Sequence, residues 1–222
     1  MAKKTQQQKA LCVLSGGLDS GVCLGIACDE YADVSVIFFN YGQKTYQREK
    51  KCVEQLVRHY QISDFQEIQL PWLKDFGVSA LFDSSVTLTE ENQTFEYVPF
   101  RNSILLSIAT AYAESKEMSA IFIGSTGGDH ICPDNSPSYI DAFQHLIEQG
   151  TMIKKDIQLR APLLQGDKKT AIEIAQKLKV PLQYTWSCHN NIDEACGTCS
   201  NCRARLEAFA SLGQKDPIQY AQ

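Results

Sequence analysis

The chain has 222 residues, 44% hydrophobic and 21% charged, with ordinary amounts of Gly and Pro; this suits one folded unit with a sizeable core and excludes a fibre or a disordered tail. Lys and Arg number 21 against 26 Asp and Glu, a formal charge of −5, so long-range attraction to a polyanion is not expected and nucleic acid is not an expected partner. No apolar run approaches the roughly 20 residues that span a bilayer, and the opening MAKKTQQQK is polar with no apolar stretch behind it, so a cytoplasmic protein without membrane contact is expected.

Residues 10–14 (ALCVL) form a short apolar run stopped by Ser-Gly-Gly, and residues 19–27 carry small and apolar side chains at helical spacing, which predicts strand, tight loop, helix. A β-branched and aromatic run over 34–39 ends in Asn-Tyr-Gly, and 46–60 places Val53, Leu56 and Val57 on one face of a charged helix. Residues 65–70 are a weaker strand, 71–92 are irregular, 103–113 are a strongly apolar helix, and 120–124 (AIFIG) are a buried strand. After a Gly-rich turn over 124–129 come a helix over 138–148 and a strand over 157–161. Asp167 is placed to N-cap a helix running through Lys179. This alternation predicts an α/β fold, a doubly wound and mostly parallel sheet covered on both faces. From Trp186 onward the alternation breaks into a cysteine-rich stretch and a helix over 202–212. The expected organisation is therefore an α/β domain over 1–185 with a small C-terminal metal-binding helical appendage over 186–222.

Two clusters of residues carry chemistry. Ser15-Gly16-Gly17-Leu18-Asp19-Ser20 lies between a buried strand and a helix, where free backbone N–H groups and the helix dipole make an anion site and glycines allow close approach of phosphate. It lacks the Gly-Lys-Ser/Thr ending of the Walker loop; a plain tight turn after a strand is the bland alternative. The second cluster, Cys188-x7-Cys196-x2-Cys199-x2-Cys202, offers four thiolates, and Gly197 permits the knuckle that wraps them round one tetrahedral ion. A closed structural Zn²⁺ site is expected, an iron–sulfur cluster or unbound thiols being the alternatives. The other five cysteines, Cys12, Cys23, Cys28, Cys52 and Cys132, are read as core thiols of a reducing compartment. His189, beside a complete set of ligands, is read as a solvated loop histidine.

The loop resembles the SGGxDS signature of PP-loop ATP pyrophosphatases, a superfamily of HUP-like, Rossmann-type fold. Together with the cysteines it resembles the 7-cyano-7-deazaguanine synthase (QueC) family over nearly the whole chain. Further blocks fall in family order: Phe39-Asn40-Tyr41-Gly42-Gln43, Val98-Pro99-Phe100-Arg101-Asn102, Gly128-Asp129-His130, Pro133-Asp134, Ala161-Pro162-Leu163 with Lys168, and Thr185-Trp186-Ser187-Cys188. The resemblance implies ATP cleaved between its α- and β-phosphates with Mg²⁺, adenylation of the carboxylate of 7-carboxy-7-deazaguanine, and capture by ammonia to an amide and then a nitrile. It also implies a homodimer. Leu14, Ser15, Gly16, Gly17, Asp19, Ser20, Tyr41 and Gln43 would bind ATP; Asn102, Asp129 and His130 would bind the base; and Lys168, Arg101 and Asp134 would act in catalysis. Arg101 and Lys168 are the cations expected near the developing negative charge, surface positions being the plain alternative. For Asp129 and Asp134 turn capping is an equal alternative.

Three blocks depart from the family. Its Tyr-Gly-Gln-Arg-His string is here Tyr41-Gly42-Gln43-Lys44-Thr45, its Tyr-Pro-Asp-Cys-Arg is Cys132-Pro133-Asp134-Asn135-Ser136, and its Pro-Ala-Arg-Asn carries the bulky Phe100. A remodelled acceptor pocket is expected, and with it an alternative: a QueC-like paralogue of antiviral gene sets that stops at an amide by joining the acyl group to another amine, such as a protein N-terminus. A different PP-loop ligase, a tRNA thiolase whose RNA-binding forms should be basic, and a nucleotide sensor without turnover complete the alternatives.

Overall fold

The computed structural model describes residues 5–126, 132–152 and 157–221. Among the described residues, five strands, β1 (Thr5–Val13), β2 (Tyr31–Asn40), β3 (Phe65–Gln69), β4 (Ala120–Phe122) and β5 (Gln158–Arg160), alternate with helices α1 (Leu18–Glu30), α2 (Tyr46–His59), α3 (Arg101–Ser115), α4 (Pro137–Gly150) and α5 (Lys168–Leu178), and α6 (Ser200–Ser211) follows. The strands form one sheet in the order β3-β2-β1-β4-β5, every pair parallel. Strand order reverses between β1 and β4, the place in an open α/β sheet where ligands bind beyond the carboxyl ends of the strands.

Side chains alternate across β1: Ala10, Cys12 and Leu14 face a core shared with α1, α2, α5 and α6, whereas Leu11 and Val13 face one shared with α3 and α4. A strand buried on both faces needs an unbroken apolar run, which explains why ALCVL and VSVIFF were legible. β1 begins earlier than its apolar run suggests, because the polar Thr5 pairs with Tyr31 across an irregularity before Lys9.

Helix starts follow local chemistry. Asp167 caps α5 through Thr170 N–H at 2.8 Å, and Ser136 caps α4 through Tyr139 N–H at 3.2 Å ahead of Pro137. Residues 71–100 form no strand; two 3-10 turns, Pro71–Phe76 and Gln93–Glu96, are fastened by buried Leu73, Ala80, Leu81, Leu88 and Val98. The C-terminal segment joins both cores: Trp186, Ala195 and Ile218 pack on the α3 side, Ala208 and Phe209 on the α1 side. Among the described residues, no helix is long and apolar enough to cross a membrane.

Candidate active site

A crevice opens at the carboxyl edge of the sheet beside the β1/β4 switch. Its two lobes, about 270 and 600 Å³, share Asp19, Glu96, Gly124, Asn135, Lys168 and Asn201. The 15–20 loop forms one wall. Gly16 sits at φ +81, and a Cβ there would lie 2.6 Å from the Glu49 carbonyl, so only glycine fits. Gly17 is the N-cap of α1 and, among the described residues, no side chain caps it. The loop is held from within: Ser15 N–H donates to Ser20 Oγ (3.2 Å), the two hydroxyls are 3.0 Å apart, and Ser20 Oγ donates to the Gly17 carbonyl (3.1 Å). A pre-shaped loop at an open, positive helix end favours an anion. Leu14 belongs to the core, its N–H pairing with Ile37 at 3.0 Å, while its neighbours Val13 and Ser15 line the crevice.

Lys168 reaches across from the start of α5 and donates to Asp19 Oδ2 at 2.5 Å, with both side chains largely buried (16% and 18% exposed). The second Asp19 oxygen, Oδ1, is buried and has no hydrogen-bond partner among the described residues. A partnerless carboxylate oxygen beside an anion loop suits a divalent cation accompanying phosphate.

Arg101 lines the crevice, donates to the Tyr41 hydroxyl at 3.2 Å and stacks over its ring at 5.4 Å. Burial outweighs the Arg101 charge and pushes the Tyr41 phenol up to about 12, so Tyr41 stays protonated. Gln43 is engaged within the wall: its amide donates to the Phe39 carbonyl (3.1 Å) and Glu49 (2.9 Å) and accepts from Tyr41 N–H (2.9 Å). Asn102 and Asp134 meet at the start of α3, where the carboxylate accepts from Asn102 N–H at 2.8 Å and the Asn102 amide donates to the Asp134 carbonyl at 3.0 Å. Asp134, 6% exposed, thus caps α3 from a distant loop, the turn-capping alternative in a form that local spacing cannot reveal. Asp129 and His130 lie outside the described residues.

Of the departing residues, Cys132 and Asn135 line the crevice and the others do not. Phe100 stands at φ +55 and is 65% exposed, outside the crevice lining. Lys44 turns away to the Val86 carbonyl (2.7 Å), Thr45 donates to Glu49 (2.5 Å), and Ser136 is the α4 cap. His189 corrects the expectation of a solvated loop residue: it lines the crevice with its ring 3.3 Å from Glu96. Burial disfavours its charge, yet the Glu96 carboxylate holds its pKa above the ordinary value. Glu96 also accepts from Ser200 (2.9 Å) and Asn201 (3.2 Å) at the start of α6. The only sequence signal for His189 was adjacency to Cys188, whose side chain fixes that stretch of backbone.

The four cysteines converge, their Sγ atoms all within 4.8 Å of one another. Their thiols are tightly coupled: hydrogen bonds from the Cys199 and Cys202 thiols, with backbone N–H groups of Cys196 and Asn191 adding to them against burial, hold the Cys188 thiol far below its ordinary range, and the same hydrogen bonds hold Cys199 and Cys202 above theirs. The knuckle is tied to the 71–100 segment by Asn190, whose amide accepts from Leu88 N–H and donates to the Leu88 carbonyl, both at 2.8 Å.

Comparison with known proteins matches residues 9–213 to the family described as "Queuosine biosynthesis protein QueC". The chain is 40% identical over 219 residues to the 7-cyano-7-deazaguanine synthase of Methanoculleus marisnigri, covering 96% of this chain and 99% of that one. It is 37% identical over 220 residues to the synthase of Campylobacter jejuni subsp. jejuni, covering 96% and 98%. Among solved structures, the U34-tRNA thiolase NcsA of Methanococcus maripaludis, with its [4Fe-4S] cluster, shares the fold: TM-score 0.50, 17% identity, 80% of this chain and 58% of that one.

Proposed function

The chain belongs to the QueC family of ATP-dependent ligases, and from that premise we propose that it converts 7-carboxy-7-deazaguanine, ammonia and ATP into 7-cyano-7-deazaguanine. The carboxylate oxygen attacks the α-phosphate of ATP, pyrophosphate leaves, and ammonia displaces AMP from the acyl adenylate to give the amide. A second ATP activates the amide oxygen, and loss of AMP and a proton leaves the nitrile. Both carboxylate oxygens end in AMP. The observation that carries the reading is full-length kinship at 40% identity together with an uncapped α1 N-terminus and the Lys168–Asp19 pair at the strand switch point.

In this reading the Ser15–Ser20 loop holds the leaving pyrophosphate through backbone N–H groups that are already oriented, so little reorganisation accompanies charge development. Lys168 and Arg101 supply positive charge, Arg101 being kept in place by Tyr41. Mg²⁺ would screen phosphate charge, and Asp19 Oδ1 is the atom that suits it. Gln43 and Asp134 shape the crevice wall and the start of α3 through their hydrogen bonds. Zn²⁺ fits the cysteines: Zn–S bonds of about 2.3 Å in a tetrahedron put sulfurs about 3.8 Å apart, and Cys196 and Cys202 stand 4.0 Å apart. A four-iron cluster would need a wider set. Closed by four thiolates, the ion would be structural.

The test is to incubate the protein with Mg-ATP, 7-carboxy-7-deazaguanine and ammonium, following pyrophosphate and identifying products by mass. The expected result is base-dependent release of two pyrophosphates per nitrile. A product that stays at the amide, or a protein that gains the acyl mass, would replace the synthase with the conjugating paralogue. No base-dependent release would overturn both.

A further inference from the structure

We propose that Arg205 and Asp216 are positioning residues for the phosphate loop, so that the C-terminal segment braces a loop near the start of the sequence. This inference rests on the ATP-dependent reading above. Arg205 is 0% exposed. Its Nε and Nη2 bond the two Asp216 oxygens at 2.7 and 3.0 Å; Nη2 also donates to the Leu182 carbonyl (3.1 Å), and Nη1 donates to Thr185 Oγ1 (2.8 Å) and Ser187 Oγ (3.4 Å). Asp216 is saturated in turn, accepting from Tyr220 (2.7 Å) and Ile218 N–H (3.2 Å).

The stretch gripped by the guanidinium is the one that touches the loop. Trp186 N–H donates to the Gly16 carbonyl at 2.8 Å. Thr185 Cγ2 would lie 3.0 Å from a Cβ at Gly21, and the Trp186 carbonyl 3.7 Å from one at Gly17. With Glu49 blocking Gly16 from the other side, the loop is clamped between α2 and residues 185–186. Tyr220 continues the chain of contacts to the knuckle through its bridge to Ala195, next to Cys196.

Stability does not explain the pair. Replacing a buried ion pair with apolar groups of similar volume is often neutral or stabilising, whereas five N–H donors in a rigid fork fix several carbonyls and hydroxyls in one geometry. That geometry is the backbone position of Thr185 and Trp186.

The experiment compares wild type with Arg205→Met/Asp216→Leu, Arg205→Lys and Tyr220→Phe. It measures MgATP affinity by calorimetry, KM for each substrate, metal content and melting temperature. Both Arg205 variants should keep the metal while MgATP binds at least about tenfold more weakly, and Arg205→Met/Asp216→Leu should also keep a near-normal melting temperature; KM for the base and for ammonium should stay within about twofold. Tyr220→Phe should weaken MgATP about threefold. Unchanged MgATP affinity in a folded, metal-loaded variant overturns the proposal, as does a parallel loss for all three substrates together with melting temperature. If the charge variants do not fold, unchanged MgATP affinity in Tyr220→Phe overturns it and a weakened one supports it. Wild type that binds no MgATP would instead sink the ATP-dependent reading.

Discussion

Asp19 and Asp64 sit at opposite edges of the same sheet and are treated in opposite ways. Asp64, just before β3, accepts from the Tyr112 hydroxyl with both oxygens (2.8 and 2.7 Å), from Ser35 at 2.9 Å and from Gln66 at 3.2 Å. Burial works against its charge, but those hydrogen bonds hold its pKa below the ordinary aspartate value. Asp19, at the carboxyl edge, has one oxygen on Lys168 and the other left without a partner among the described residues. A polar network closed on itself fastens structure, whereas one left open at a cavity is completed by a ligand. The helix starts repeat the contrast: α3 is capped by Asp134 and α1 is left open.

Substitutions at the open edge should cost activity more than stability, and those at the closed edge the reverse. The largest effect is expected from Gly16→Ala, where the clash with the Glu49 carbonyl distorts the loop: base-dependent pyrophosphate release should fall at least about 100-fold. Asp19→Asn should lower the same rate about 30-fold while the melting temperature holds within about 3 °C. Asp64→Ala should leave KM for ATP unchanged and cost about 2 kcal/mol in urea unfolding, since Tyr112 and Ser35 lose their acceptor. Asp134→Ala should cost about 1 kcal/mol by uncapping α3, with a smaller rise in KM for the base through displacement of Asn102. The smallest effect is on pH. Because the folded pKa of Asp64 is depressed, its contribution is present above the ordinary value of 3.8 and is lost as pH falls through the folded value. Acid unfolding of Asp64→Ala should therefore show a shallower fall of stability below pH 4 than wild type.

The same contrast explains what could be read in advance. The 15–20 loop and the cysteine knuckle were legible because the residues of each are close in sequence, and the strands because burial on both faces demands apolar runs. The closed networks were not: Glu96 meets His189, Asp134 meets Asn102 and Arg205 meets Asp216 only once the chain has folded. Phe100 is 65% exposed and lies outside the crevice lining, a direction that residue size does not reveal.

Labelling both carboxylate oxygens of 7-carboxy-7-deazaguanine with ¹⁸O and weighing the AMP formed tests the central claim most directly, because oxygen leaves with AMP only if it was adenylated. The account predicts nitrile with two AMP, each carrying one ¹⁸O. Unlabelled AMP, or ADP in its place, would contradict it.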